Sequence, residues 1–249
     1  MRPTDIALCR TAAAGLLAAA VSLALPAAAH ATAGTDTVAV QSGYEGKTIV
    51  YDGGDHANQV SVDVGATSIV FHDPAAAGLT ATAPCVLTNA TTVTCPKQTG
   101  GSTSDRVINV SVLGHGGDDT LTSTGFGMVT GSVYRPVALT LSGFDGDDVI
   151  TAAGGLSSIL GGDGDDTLTS GPGKTQGLEH FGDKVDGGRG GDVIDIATTS
   201  PDKDGVSCDP TGDHSSTDTL VRDAGDIEYS HVVFPNPPIG SGCDAVTIV

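Results

Sequence analysis

The chain has 249 residues, with 30 Asp and Glu against 11 Lys and Arg, a formal net charge of −19, and 36 glycines. So large an acidic excess excludes nucleic acid and anionic membrane surfaces as natural partners and favours cations. Only 4% of residues are aromatic and Trp is absent, so any core is built from Val, Ile and Leu; the glycines lack the three-residue period of collagen.

Arg2 and Arg10 flank the start of an apolar run of Ala, Leu and Val from Thr11 to Ala29. Ala29-His30-Ala31 then places small residues where a signal peptidase reads. A leader over residues 1–31 is expected, and with it a secreted, extracellular chain without a transmembrane anchor, since the run is short for a permanent span. Four cysteines follow the leader: Cys85, Cys95, Cys208 and Cys243. An even number in an exported chain implies two disulfides with three connectivities, of which Cys85–Cys95 and Cys208–Cys243 are favoured. No CxxC spacing suggests redox chemistry or a zinc knuckle.

Residues 32–113 form an N-terminal β-rich region. Alternation of apolar and polar residues predicts strands at 59–64 (QVSVDV), 67–71 (TSIVF) and 106–113 (RVINVSVL).

An internal repeat begins at residue 114. GHGGDDTLT (114–122), GFDGDDVIT (143–151), GGDGDDTLT (161–169) and GGRGGDVID (187–195) align without gaps. Each has Asp at its sixth position (Asp119, Asp148, Asp166, Asp192) and Leu or Ile at its eighth (Leu121, Ile150, Leu168, Ile194). The glycines permit tight turns, and the three residues around the eighth position make a minimal strand with one inward side chain. Stacked in parallel about 4.8 Å apart, such units align the apolar residues as a core and the Asp carboxylates as a ladder. Two bare carboxylates about 5 Å apart repel by nearly 1 kcal/mol even in water, and Asp118, Asp145, Asp147, Asp163 and Asp165 add to the charge. A divalent ion is therefore expected. Calcium suits oxygen donors and adaptable loops, whereas zinc prefers Cys or His and magnesium stricter geometry. The spacing does not fit an EF-hand, because Leu168 and Lys174, counted from Asp163, stand where Gly and Glu are needed.

These nonapeptides resemble the hemolysin-type (RTX) calcium-binding repeats. The resemblance implies a right-handed parallel β-roll, or β-helix, in which two nonapeptides complete a turn and loops eighteen residues apart hold an ion between them. It pairs the Asp148 and Asp166 loops, with Gly143, Asp145, Gly146, Gly161, Asp163 and Gly164 contributing to the ion's oxygen shell. AAGGLSSIL (152–160) is then a half-turn with Ile159 inward. SGPGKTQG (170–177) becomes a looped-out insertion, and LEHFGDKVD (178–186) the next half-turn, with Asp183 and Val185 at the informative positions. On this reading residues 114–198 are the calcium-binding β-roll. Whether the Asp119 loop stacks on the Asp148 loop is left open by their wider spacing. YDGGDHANQVSV (51–62) is a weak echo of the repeat with Asn58 in place of Asp; Asn58 and Asp55 are read as turn residues, and the N-terminal region as a worn roll or small sandwich. The closing segment, residues 199–249, resembles that of secreted actinobacterial calcium-binding proteins, a disulfide-tied C-terminal cap. In it Asp218-Thr219-Leu220 keeps the Asp and apolar spacing without the glycines.

The fold expected is thus all-β, and the function calcium binding that couples folding to export, structural or adhesive in purpose. Its extracellular partner is not specified by the sequence. HExxH, GxSxG and Walker motifs are absent, and the histidines are scattered. The competing enzymatic reading, a calcium-dependent polysaccharide-active β-helix, lacks a basic catalytic residue in a long groove.

Overall fold

The computed structural model describes residues 35–43, 46–76, 78–97, 105–124, 128–129, 135–154, 157–172, 174–176, 179–197, 204–209, 216–224, 226–228 and 242–249. The expected leader lies outside these residues. Among them there is no helix, and hence none long and apolar enough to cross a membrane. The protein is all-β and is built on two large mixed sheets.

In the first sheet, parallel strands run in sequence order from Lys47–Asp52 through Val107–Gly116, Ala138–Asp145, Ser157–Asp163, Lys184–Arg189 and Gly205–Ser207 to Ile227–Glu228. The second sheet runs in the same way from Gln59–Val64 through Thr120–Thr124, Val149–Thr151, Thr167–Thr169, Val193–Asp195 and Thr219–Arg222 to Ala245–Ile248. Each first-sheet strand is followed in the chain by its second-sheet counterpart, so the backbone coils between two stacked parallel ladders. The Gly/Asp repeats are the turns that carry it across.

The register makes the core explicit. Leu121, Ile150, Leu168, Ile194 and Leu220 are successive partners in the second sheet, all fully buried. Val112, Leu141, Ile159, Val185 and Val206 form the matching column in the first. Burying each such side chain contributes about 1.5–3 kcal/mol. Their neighbours Val149 and Val193 point outward and stay 45% and 47% exposed, as the alternation of a strand requires.

The region before residue 114 joins the same sheets. Lys47–Asp52 and Gln59–Val64 are a coil in register with the first repeat, so the echo at 51–62 is a structural rung. Antiparallel strands close that end: Thr37–Ser42 on Lys47–Asp52, and Ser68–His72, Thr92–Pro96 and Val86–Asn89 beyond Gln59–Val64. Both favoured disulfides are present, Cys85–Cys95 in this cap and Cys208–Cys243 near the other end.

The insertion is drawn differently from the sequence expectation. Lys174–Gln176 pairs antiparallel with Glu179–Phe181, and neither pairs with the large sheets. The looped-out segment therefore extends past 177 through the first residues assigned to the half-turn. The half-turn proper is confined to Asp183 and the strand starting at Lys184. A second small hairpin, Met128–Val129 with Arg135–Pro136, accounts for the long spacing between the first two repeats.

Candidate metal centre

The sixth-position residues stand one above another in a single file. The amide N–H of Asn58 donates to Asp119 Oδ1, that of Asp119 to Asp148, Asp148 to Asp166, Asp166 to Asp192, and Asp192 to Asp218, at 2.7 to 3.0 Å. Asp218 N–H donates in turn to Asp244 Oδ2 at 3.0 Å. The Asp119 loop thus stacks directly on the Asp148 loop, and the 192 loop on the 166 loop. Asp218, which lacks the glycines, occupies a full rung. At the head of the file Asn58 supplies an amide that donates to the carbonyls of His56 and Gly114 and to Asp119 Oδ1.

The other carboxylate oxygen explains the leading glycine. Each Asp folds back into its own turn, so a Cβ at Gly114, Gly143, Gly161 or Gly187 would overlap Oδ2 of Asp119, Asp148, Asp166 or Asp192 respectively. Backbone carbonyls of the adjoining coil face the same space: Gly143 O before Gly114, Gly187 O before Gly161 and Cys208 O before Gly187. The four Oδ2 atoms are buried and accept no hydrogen bond, an arrangement that is costly for an ionised carboxylate.

Burial pushes these acids above the usual carboxylate range. Hydrogen bonds from the backbone oppose the shift and neighbouring carboxylates reinforce it. Asp166 is raised to about 8, Asp119 and Asp192 to about 7, and Asp148 to about 6.

Asp145 and Asp163 lie on the exposed rim, at the third position of their turns. The carbonyl of Asp145 accepts the N–H of Gly117, and that of Asp163 the N–H of Gly146. Asp163 Oδ2 also meets Arg189 Nη1 at 3.3 Å, so its side chain is directed along the rim and away from the Asp file. Gly146 and Gly164 adopt φ of 138° and 146°, a conformation that only glycine takes readily. At the fifth position a surface file repeats the inner one, with Asp147 N–H on Asp118 and Asp165 N–H on Asp147.

A second inner file runs on the opposite side of the coil. Ser157 N–H donates to Asp183, Asp183 N–H to Asp204, and Asp204 N–H to Asp226, at 2.6 to 3.1 Å. Asp183 was expected there. Asp204 and Asp226 were not, although Asp204-Gly205-Val206 carries the same Asp and apolar spacing as Asp183-Lys184-Val185.

Among the described residues, no three Asp, Glu, His or Cys side chains are grouped so as to hold a metal ion by themselves. The fit to a cation consists of one carboxylate oxygen at each of the four turns, joined by a carbonyl of the next coil at the Asp119, Asp166 and Asp192 turns. No family model, curated protein or solved structure matches the chain.

Proposed function

We propose that the chain is a secreted calcium-binding protein of the hemolysin-type repeat class, a right-handed β-roll whose turns hold Ca²⁺ and whose folding is coupled to arrival in a calcium-rich exterior. The observation that carries this reading is the file of four buried Oδ2 atoms at Asp119, Asp148, Asp166 and Asp192, each without a hydrogen bond. Three of them, at Asp119, Asp166 and Asp192, face a carbonyl of the adjoining coil. A hard cation that takes six to eight oxygens in adaptable geometry suits such a set. Those four Asp side chains would hold the ions, joined by loop carbonyls from the turns at 143–146 and 161–164. Asp183 would serve the opposite side. The bound ion would supply positive charge to a column that is otherwise self-repelling. Extracellular calcium modules bind with Kd of about 10⁻⁴–10⁻³ M, weak enough to remain empty inside a cell. The role proposed is structural, and the two disulfides are compatible with an exported chain.

Circular dichroism and thermal denaturation during calcium titration of chelator-treated protein test this. The expected result is a gain of β signal and a higher Tm within the millimolar range. Asp166→Ala should weaken the response, while Asp63→Ala, at an exposed strand position, should leave it intact. No response to several millimolar calcium, or equal loss in both variants, would remove the ion from the proposal.

A further inference from the structure

The first turn of the coil departs from the acid turns at a single atom. In the nonapeptide frame, Gly53 to Ser61 has glycine at its first position, Asn58 at its sixth and Val60 at its eighth. Val60 pairs with Leu121 as Leu121 pairs with Ile150, so this turn is a full rung. A Cβ at Gly53 would meet Asn58 Nδ2, where one at Gly114 or Gly161 would meet Oδ2 of Asp119 or Asp166. Nδ2 thus takes the place of the orphaned acid oxygen.

The amide has partners there that the acid oxygens lack. Its two N–H groups are shared among four oxygens: His56 O at 2.8 Å, Gly114 O and Asp119 Oδ1 at 3.3 Å, and Gly54 O at 3.5 Å. Gly114 O is the carbonyl of the adjoining coil, the counterpart of Gly143 O before Gly114 and of Gly187 O before Gly161. An ionised acid sets two acceptors face to face across this space, whereas the amide sets a donor against an acceptor. Asn58 Oδ1 is 3.4 Å from the Tyr51 hydroxyl, which donates to Asp73 Oδ2 at 2.6 Å. Asp73 Oδ1 accepts the N–H groups of Gln59 and Ala75, and Asp36 Oδ1 that of Gly54. Asp36 Oδ2 accepts no hydrogen bond, but the His56 ring stands beside that carboxylate, with Nε2 3.6 Å from Oδ1. The core of this end includes Val62, Ile69, Phe71 and Val93, all fully buried, and the Cys85–Cys95 bridge.

We infer that the Asn58 amide does at the first turn what a bound ion does at the acid turns, so that Lys47–Asp52, Gln59–Val64 and their antiparallel cap form an ion-independent seed. The inference rests on the calcium reading of the acid turns and adds that position six decides whether a turn needs the ion. Asp119, whose Oδ1 accepts both the backbone N–H and the side-chain amide of Asn58, is the first point of attachment. Order in a stacked ladder propagates from neighbour to neighbour, so a seed at one end sets the direction in which calcium completes the fold.

Amide hydrogen exchange of the full chain, in chelator and in calcium, tests this. In chelator Gln59–Val64 and Ser68–His72 are expected to be protected while Val149–Thr151, Thr167–Thr169 and Val193–Asp195 are not; calcium should protect them all. Asn58→Asp installs the acid of the other turns. Protection of Gln59–Val64 in chelator should then fall about tenfold or more, the scale of one unmade buried hydrogen bond, and return with calcium. Asn58→Ala removes the amide without supplying a ligand, and should recover less with calcium than Asn58→Asp does. The converse change, Asp119→Asn, should raise Tm in chelator and shrink the rise that calcium gives; it decides the matter alone if neither Asn58 variant folds. Parent protection of Gln59–Val64 that needs calcium as much as the acid turns do would overturn the seed. So would equal protection of parent and Asn58→Asp in chelator, equal recovery of the two Asn58 variants, or a lowered Tm for Asp119→Asn in chelator. Each of these leaves calcium binding in place. A parent whose acid turns are unchanged by calcium would instead remove the ion, and with it the reading on which the seed stands.

Discussion

At the first repeat position, glycine and the Asp five residues later compete for one volume. Gly161 is the clearest case: an added Cβ would overlap both Asp166 Oδ2 and the carbonyl of Gly187. Gly161→Ala is therefore expected to lower stability by about 1–3 kcal/mol through overpacking and to blunt the calcium response. Gly191→Ala, whose Cβ meets nothing nearer than 3.4 Å, should leave the thermal melt unchanged or slightly raised. Comparable losses in both variants would contradict this account of the turn. The same buried carboxylates set a pH dependence. Their native pKa values of about 6 to 8 lie above an unfolded value of about 3.9. Between these limits the native state binds more protons than the unfolded one, so the ion-free protein loses stability as pH rises from about 4 to 8. Calcium requires the deprotonated acids and displaces those protons, which should flatten or reverse the trend. Melting curves across that range, with chelator and with calcium, read the sign directly. A Tm in chelator that climbs with pH would refute it.

Among the elements, the strand-forming parts of the repeat were legible because all four repeats put an apolar residue at position eight, where it fills the core, and Asp at position six, where it accepts an N–H of the preceding coil. Leu121, Ile150, Leu168 and Ile194 all fell where the pattern placed them. The eighteen-residue offset between Asp148 and Asp166 was readable for the same reason. What period counting could not decide was where surplus residues leave the coil. A hairpin carries its own alternation, and LEHF was assigned to a half-turn although Glu179–Phe181 pairs with Lys174–Gln176. Asp204 and Asp226 stayed hidden because neither follows the glycine pattern of a nonapeptide, a lone Gly225 standing before Asp226, and Asn58 because an amide replaces the acid. The hairpin's position yields a prediction. The Asp166 and Asp192 rungs are 26 residues apart, and removal of Lys174–Phe181 restores the 18 that separates Asp148 from Asp166. Surface insertions contribute little to a stacked core. The shortened chain is expected to keep the proposed calcium response and its Tm within a few degrees; collapse of the Tm would show that the hairpin supports the coil.

Across the whole molecule, each coil touches only its neighbours, so stability is a sum of local stackings and damage at one end need not travel. The N-terminal end is covered by antiparallel strands over a core that includes Val62, Phe71 and Val93, all fully buried. Among the described residues no strand covers the C-terminal end in this way: every residue of Ala245–Ile248 is exposed, with Val246 at 41% and Ile248 at 57%. Backbone pairing to Thr219–Arg222 and the Cys208–Cys243 bridge hold that strand where burial does not. Cys208→Ser with Cys243→Ser is expected to release it, leaving Thr219–Arg222 as an open edge with its own row of unpaired backbone groups. Amide hydrogen exchange would then show lost protection confined to residues 219–222 and 245–248. The strands bearing Leu121, Ile150 and Leu168 should exchange as slowly as in the parent, because nothing in their coils contacts the bridge. Self-association should rise through the uncovered edge, measurable by light scattering. Protection lost evenly along the file would instead mean that the ladder melts as one unit, with the bridge acting on the unfolded chain rather than on the final strand.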